Sequence, residues 1–220
     1  MKTAIRYVIA LGIVGIVGAS SHAATVVTAS HTLRQARFFT AGVGIGTLGF
    51  DDRLAQSFTP ETSGIVEQVS FVAVRSPGTT ADLRVSITTL LDGEPGSVLG
   101  MTQLDVTSFL EDLPGGPDTF NSVAGFRSQG IFLEAQGQYA VTFSMDPMEG
   151  YYELYADAPG YAGGALLRSR DANPYEALTH SSDAFFEVTI NAVPEPGTNI
   201  LAAVGTLSLL LGARTRRRWS

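Results

Sequence analysis

Alternation of apolar and polar residues, interrupted at short intervals by glycine and proline, constrains this chain more than any other feature. In VSFVAV, Val69, Phe71 and Ala73 fall on one face. In DLRVSITT, Leu83, Val85 and Ile87 alternate with Arg84, Ser86 and Thr88. QYAVTFSM sets Tyr139, Val141, Phe143 and Met145 against Ala140, Thr142 and Ser144, and AFFEVTI repeats the pattern with Phe186, Val188 and Ile190. A period of two sends successive side chains to opposite faces of an extended strand, so each segment is predicted to be a half-buried antiparallel strand. YYELYAD and GALLRSR are read as strands too, with turns at SPGTT (76–80), DGEPG (92–96), LPGGPD (113–118) and DAPG (157–160). No segment sustains an amphipathic helix. TSFLEDL, with Ser108 and Glu111 at capping-box spacing, is read as one short helical turn. Many short strands with Gly/Pro turns predict an all-β, antiparallel β-sandwich, jelly-roll-like, with Phe71, Val85, Val141, Phe143 and Val188 in its core.

The two ends of the chain follow other rules. Lys2 and Arg6 precede the apolar YVIALGIVGIVG (7–18), and SSHAA then places small residues at Ser21 and Ala23. This is the pattern of a secretory signal peptide cut between Ala23 and Ala24, its apolar part being too short to span a bilayer. At the other end, Ile200 to Ala213 is an apolar run of fourteen residues, about 21 Å as a helix against roughly 30 Å of hydrocarbon. Arg214, Arg216, Arg217 and Arg218 follow it, then Trp219. Such a cluster is incompatible with a core but suits the cytoplasmic end of a membrane segment. Pro194 and Pro196 break the chain between body and segment.

Val193-Pro194-Glu195-Pro196-Gly197, the apolar helix 200–213 and the arginine cluster 214–218, in that order, resemble the PEP-CTERM sorting signal of Gram-negative bacteria. The resemblance implies that a membrane-embedded cysteine protease, exosortase, removes the tail. Signal peptidase would act at the other end, and the protein would pass transiently through the inner membrane to the outer surface or an exopolysaccharide matrix. A permanent C-terminal anchor is the alternative. The organisation expected is therefore a signal peptide (1–23), a sandwich domain (24–192) and a sorting tail (193–220).

Removing both ends leaves a body with 8 arginines, no lysine and 20 acidic residues, a net charge near −12. Nucleic acid and anionic lipid are poor partners for such a surface. The absence of cysteine excludes zinc–thiolate sites and cysteine nucleophiles. Within the body, LAQSFTP (54–60), VEQVSFVAVRS (66–76), ADLRVSI (81–87), LLDGEPGSVLG (90–100), GQYAVTFS (137–144), YAGGALLRS (161–169) and SDAFFEVTI (182–190) resemble choice-of-anchor domains. These are exported bacterial β-sandwiches carried by several kinds of sorting tail. Their pattern places a tryptophan shortly before the final D-x-F strand; here Tyr175 takes that place, the chain's one tryptophan being Trp219.

Chemistry is sparse. THSSDAF sets His180 beside Ser181, Ser182 and Asp183, but neighbours on an extended chain point apart and cannot form a triad alone. There is no G-x-S-x-G. Acids beside glycine turns, at Asp51 and Asp52, at Asp92 and Glu94, and at Glu111, Asp112 and Asp118, are candidates for a structural calcium or are simply solvated turns. Tyr151, Tyr152, Tyr155 and Tyr161 crowd into EGYYELYADAPGY, where exposed rings would stack on sugars. Alternation places Tyr151 and Tyr155 on one face and Tyr152 on the other, so one face is expected to be core. The leading expectation is a non-enzymatic exported surface or matrix protein. The alternatives are a carbohydrate-binding module using the tyrosines and, third, a glycoside-active enzyme with paired carboxylates.

Overall fold

The computed structural model describes residues 24–31, 42–45, 52–111, 121–145, 149–157, 161–171, 173–178 and 183–193. The signal segment through Ala23, the tail from Pro194, and Asp51, Asp112, Asp118 and His180 lie outside the described residues. In chain order the strands are β1 (Ala24–His31), β2 (Gly42–Ile45), β3 (Asp52–Phe58), β4 (Gly64–Phe71), β5 (Ala73–Arg75), β6 (Leu83–Leu91), β7 (Glu94–Leu104), β8 (Ser122–Gly125), β9 (Phe132–Leu133), β10 (Tyr139–Ser144), β11 (Tyr152–Asp157), β12 (Leu166–Arg170), β13 (Glu176–Ala177), β14 (Asp183–Ala184) and β15 (Phe186–Ala192).

Every pairing among the described strands is antiparallel. One sheet runs β1-β15-β4-β8, with β9 also on β4; the facing six-stranded sheet runs β13-β12-β3-β10-β6-β7. A smaller sheet, β14-β11-β2 with β5 on β11, adjoins them. This is a β-sandwich. Phe71, Val85, Val141, Phe143 and Val188, all with no exposed surface, lie in one continuous core, as the alternation predicts. Phe71 and Phe143 meet edge to face at 5.0 Å across it.

Two local expectations need correction. DGEPG is only half turn: Asp92 and Gly93 have φ of 52° and 85°, the positive values that a two-residue hairpin loop requires, while Glu94 already begins β7. Pro95 is tolerated there because β7 is an edge strand. The short helical turn forms over Val106–Ser108, but its cap is Asp105, whose Oδ1 accepts from the Thr107 amide at 2.7 Å. Ser108 thus ends the turn rather than starting one. Those hydrogen bonds from Thr107 hold the Asp105 carboxyl below its ordinary range.

The chain closes on itself. β1 pairs with β15 from Ala24 opposite Ala192 to His31 opposite Phe186. The Val193 amide donates to the Ser63 carbonyl at 3.1 Å, fixing the chain one residue past β15. At the sandwich edge near β14, Gln56 is fully buried. Its Nε2 donates to Asp183 Oδ1 at 3.1 Å and its Oε1 accepts from the Ala184 amide at 2.8 Å. Asp183 Oδ2 accepts in turn from the Tyr161 amide at 3.1 Å.

Truncating Phe143 to alanine should destabilise the domain by about 3–5 kcal/mol through the cavity it leaves. Urea unfolding would check this, and the far-ultraviolet circular dichroism of residues 24–193 should be dominated by strand.

Candidate functional site

The tyrosines do not form a strip. Tyr152 points inward from β11 with no exposed surface, packs edge to face on Phe109 at 4.8 Å, and donates its hydroxyl to the Ala81 carbonyl at 2.6 Å. It cannot meet a ligand, which corrects any expectation of sugar stacking there. Burial, helped by the charge of Asp82, raises its pKa well above the ordinary tyrosine range. Tyr151 and Tyr155 are half-buried on the other face. Tyr161 stands edge-on to core Phe186 at 5.3 Å, and its hydroxyl accepts from the Thr59 amide at 3.2 Å. Its ring reaches a cleft of about 460 Å³ together with Ser30, Glu61 and Gln136. Burial raises its pKa too.

The acids expected to hold calcium are dispersed where they are described. Asp92 is exposed at the hairpin tip and Glu94 is exposed at the start of β7. Glu111 pairs with Arg75 at 2.7 Å. Among the described residues no three His, Asp or Glu side chains converge as a metal site. Asp183, the one described member of the His180 cluster, is spent on the buried bonds to Gln56 and Tyr161.

The polar half of the alternation builds a different site. On the outer face of the six-stranded sheet the register lines residues up in rows across the strands. One row runs Ser169 (β12), Arg53 (β3), Ser144 (β10), Arg84 (β6) and Gln103 (β7). Arg53 falls beside Ser144 because it lies one residue beyond the Leu54–Phe143 pair. The next row is Leu167, Ala55, Thr142, Ser86 and Met101. The third brings Ser57, Ala140, Thr88 and Val98 together. Small residues at Ala55 and Ala140 leave room for the Tyr175 side chain, which packs on them and on Leu167. This cover explains why Ala55, Ala140, Ser86 and Thr88 are buried although they face away from the main core. Beside it lies a groove of about 470 Å³ lined by Arg53, Arg84, Ser86, Thr88, Thr142, Ser144 and Tyr175, with Gly96, Val98 and Met101 of β7 along it. Gly164 lets the segment entering β12 run close to β3, since a Cβ there would collide with the Ser57 carbonyl.

Arg53, Ser144 and Arg84 were not singled out by sequence reasoning. For Arg84 and Ser144 the available signal was the polar side of DLRVSITT and QYAVTFSM; that Arg53 joins them depends on register, and register needs the fold.

Among the described residues no helix is long and apolar enough to cross a membrane. No protein-family model matches the chain, and no curated protein matches it. Among solved structures, the chain is similar to the cysteine protease and lectin-like domains of Cwp84, a surface-layer-associated protein of Clostridium difficile. That likeness has 12% identity and a TM-score of 0.40, and covers 64% of this chain and 32% of that one.

Because Tyr152 and Tyr161 are raised in the folded state, their contribution to stability is intact below the unfolded tyrosine pKa of about 10 and is lost as pH rises beyond it. Urea midpoints measured from pH 8 to 11.5 should therefore fall only at the alkaline end. Tyr152→Phe should flatten that fall and cost about 1–3 kcal/mol at neutral pH, since the Ala81 carbonyl loses a buried partner.

Proposed function

We propose that this chain is an exported, non-enzymatic surface or matrix protein, a jelly-roll-like sandwich released from its signal peptide and from a PEP-CTERM-type tail. The observation that carries this is the pairing of Ala24 with Ala192. The residue expected to become the new N-terminus and the residue expected to precede the tail are partners in one sheet. Among the described residues the last backbone hydrogen bond is made by Val193, the first residue of the expected sorting motif. Processing at both expected places would leave the sandwich whole. On this reading exosortase and signal peptidase act on the chain during export, and exopolysaccharide is its eventual surrounding. The groove beside Tyr175 favours a second function for the same protein, carbohydrate binding, because it combines an aromatic ring with hydroxyl and guanidinium donors.

Intact-mass analysis of the protein recovered from outside its host tests the processing. The expected mass begins at Ala24 and lacks Arg214 to Arg218. A mass retaining that cluster would support a permanent anchor instead.

A further inference from the structure

We propose that the groove on the outer face of the six-stranded sheet binds a carboxylate-bearing sugar chain, with Arg53 and Arg84 holding carboxylates and Tyr175 offering a ring face. The cations of the body are few and unevenly placed. The body is near −12 and has no lysine. Of its six described arginines, Arg75 pairs with Glu111 and Arg127 with Glu67, both away from this sheet. The other four lie on strands of the six-stranded sheet, Arg53 and Arg84 in its outer rows, Arg168 and Arg170 alternating with Leu167 and Ser169 toward the opposite face.

Arg53 and Arg84 flank Ser144 in one row, two strand spacings apart, or about 10 Å. Both line the groove. A guanidinium presents five N–H donors in a planar fork, so a protein partner on one edge leaves another edge for a ligand carboxylate. Hydroxyls of Thr142 and Ser144 lie in the same groove and suit sugar hydroxyls. Asp82, two residues before Arg84, accepts from Gln103 at 2.8 Å and from the Val106 amide at 2.9 Å.

Arg53 and Arg84, about 10 Å apart, are spaced for carboxylates on separate residues of a sugar chain rather than on one ring.

The inference rests on the proposed function only for the source of the ligand. Its test is calorimetric titration of oligogalacturonate into the protein as exported by its host, at physiological ionic strength with EDTA present, and with neutral dextran as control. Oligogalacturonate should bind and dextran should not. Arg53→Gln and Arg84→Gln should each weaken binding about tenfold or more, the loss expected for a charge-assisted hydrogen bond. Arg84→Lys should fail to restore it, because the fork is lost while the charge remains. Arg53 is exposed, so its variant should keep the wild-type unfolding midpoint and separate lost contact from lost fold. No binding by wild type, equal binding of dextran, or undiminished binding by both glutamine variants would overturn the proposal. A protein that keeps its tail yet binds oligogalacturonate would sustain this site while refuting the processing.

Discussion

The pairing of the first strand with the last is the constraint on which the rest depends. β15 lies between β1 and β4, so neither sheet edge nor core is complete until the whole body has been made. Val188 and Ile190 on β15 reach the core only when both neighbours are in place. Gly64 marks how tightly this end is drawn together, since a Cβ there would strike the Asn191 carbonyl. A pairing between residues so far apart in sequence forms late and at a large loop-closure cost. It also brings Ala24 and Ala192 together, as the proposed processing at both ends would require.

A buried polar clamp between β3 and β14 ties the small sheet to the six-stranded one. Gln56, in the inward row of β3, would carry a heavy desolvation cost in an apolar core without partners. Asp183 and the Ala184 amide satisfy it, and the Tyr161 amide satisfies the second carboxylate oxygen. The result fixes the segment after β11 and the short β14 onto the six-stranded sheet. Asp183 is therefore better understood as a structural acid than as part of a catalytic group with His180.

Much of the fold was legible because alternation is a direct statement of which side chain faces which way. Phe71, Val85, Phe143 and Val188 needed no more than that. Less legible was the other face: Ser86, Thr88 and Ala140 alternate with core residues and so look solvated, yet Tyr175 and Leu90 cover that side. A residue thirty or more positions away cannot be read from a strand's own period. The tyrosines show the same limit, since crowding in sequence put Tyr152 in the core and Tyr161 at a cleft. Arg53 and Arg84 become neighbours only through β10, which neither segment announces.

Equilibrium urea unfolding of residues 24–193, compared with the same domain lacking residues 24–31, tests the closure most directly. The intact domain should unfold in one cooperative transition, and loss of β1 should abolish that transition or move its midpoint far down, because β15 would be left as a bare edge over the core. An unchanged midpoint after removal of β1 would contradict it and would place the true boundary of the sandwich elsewhere.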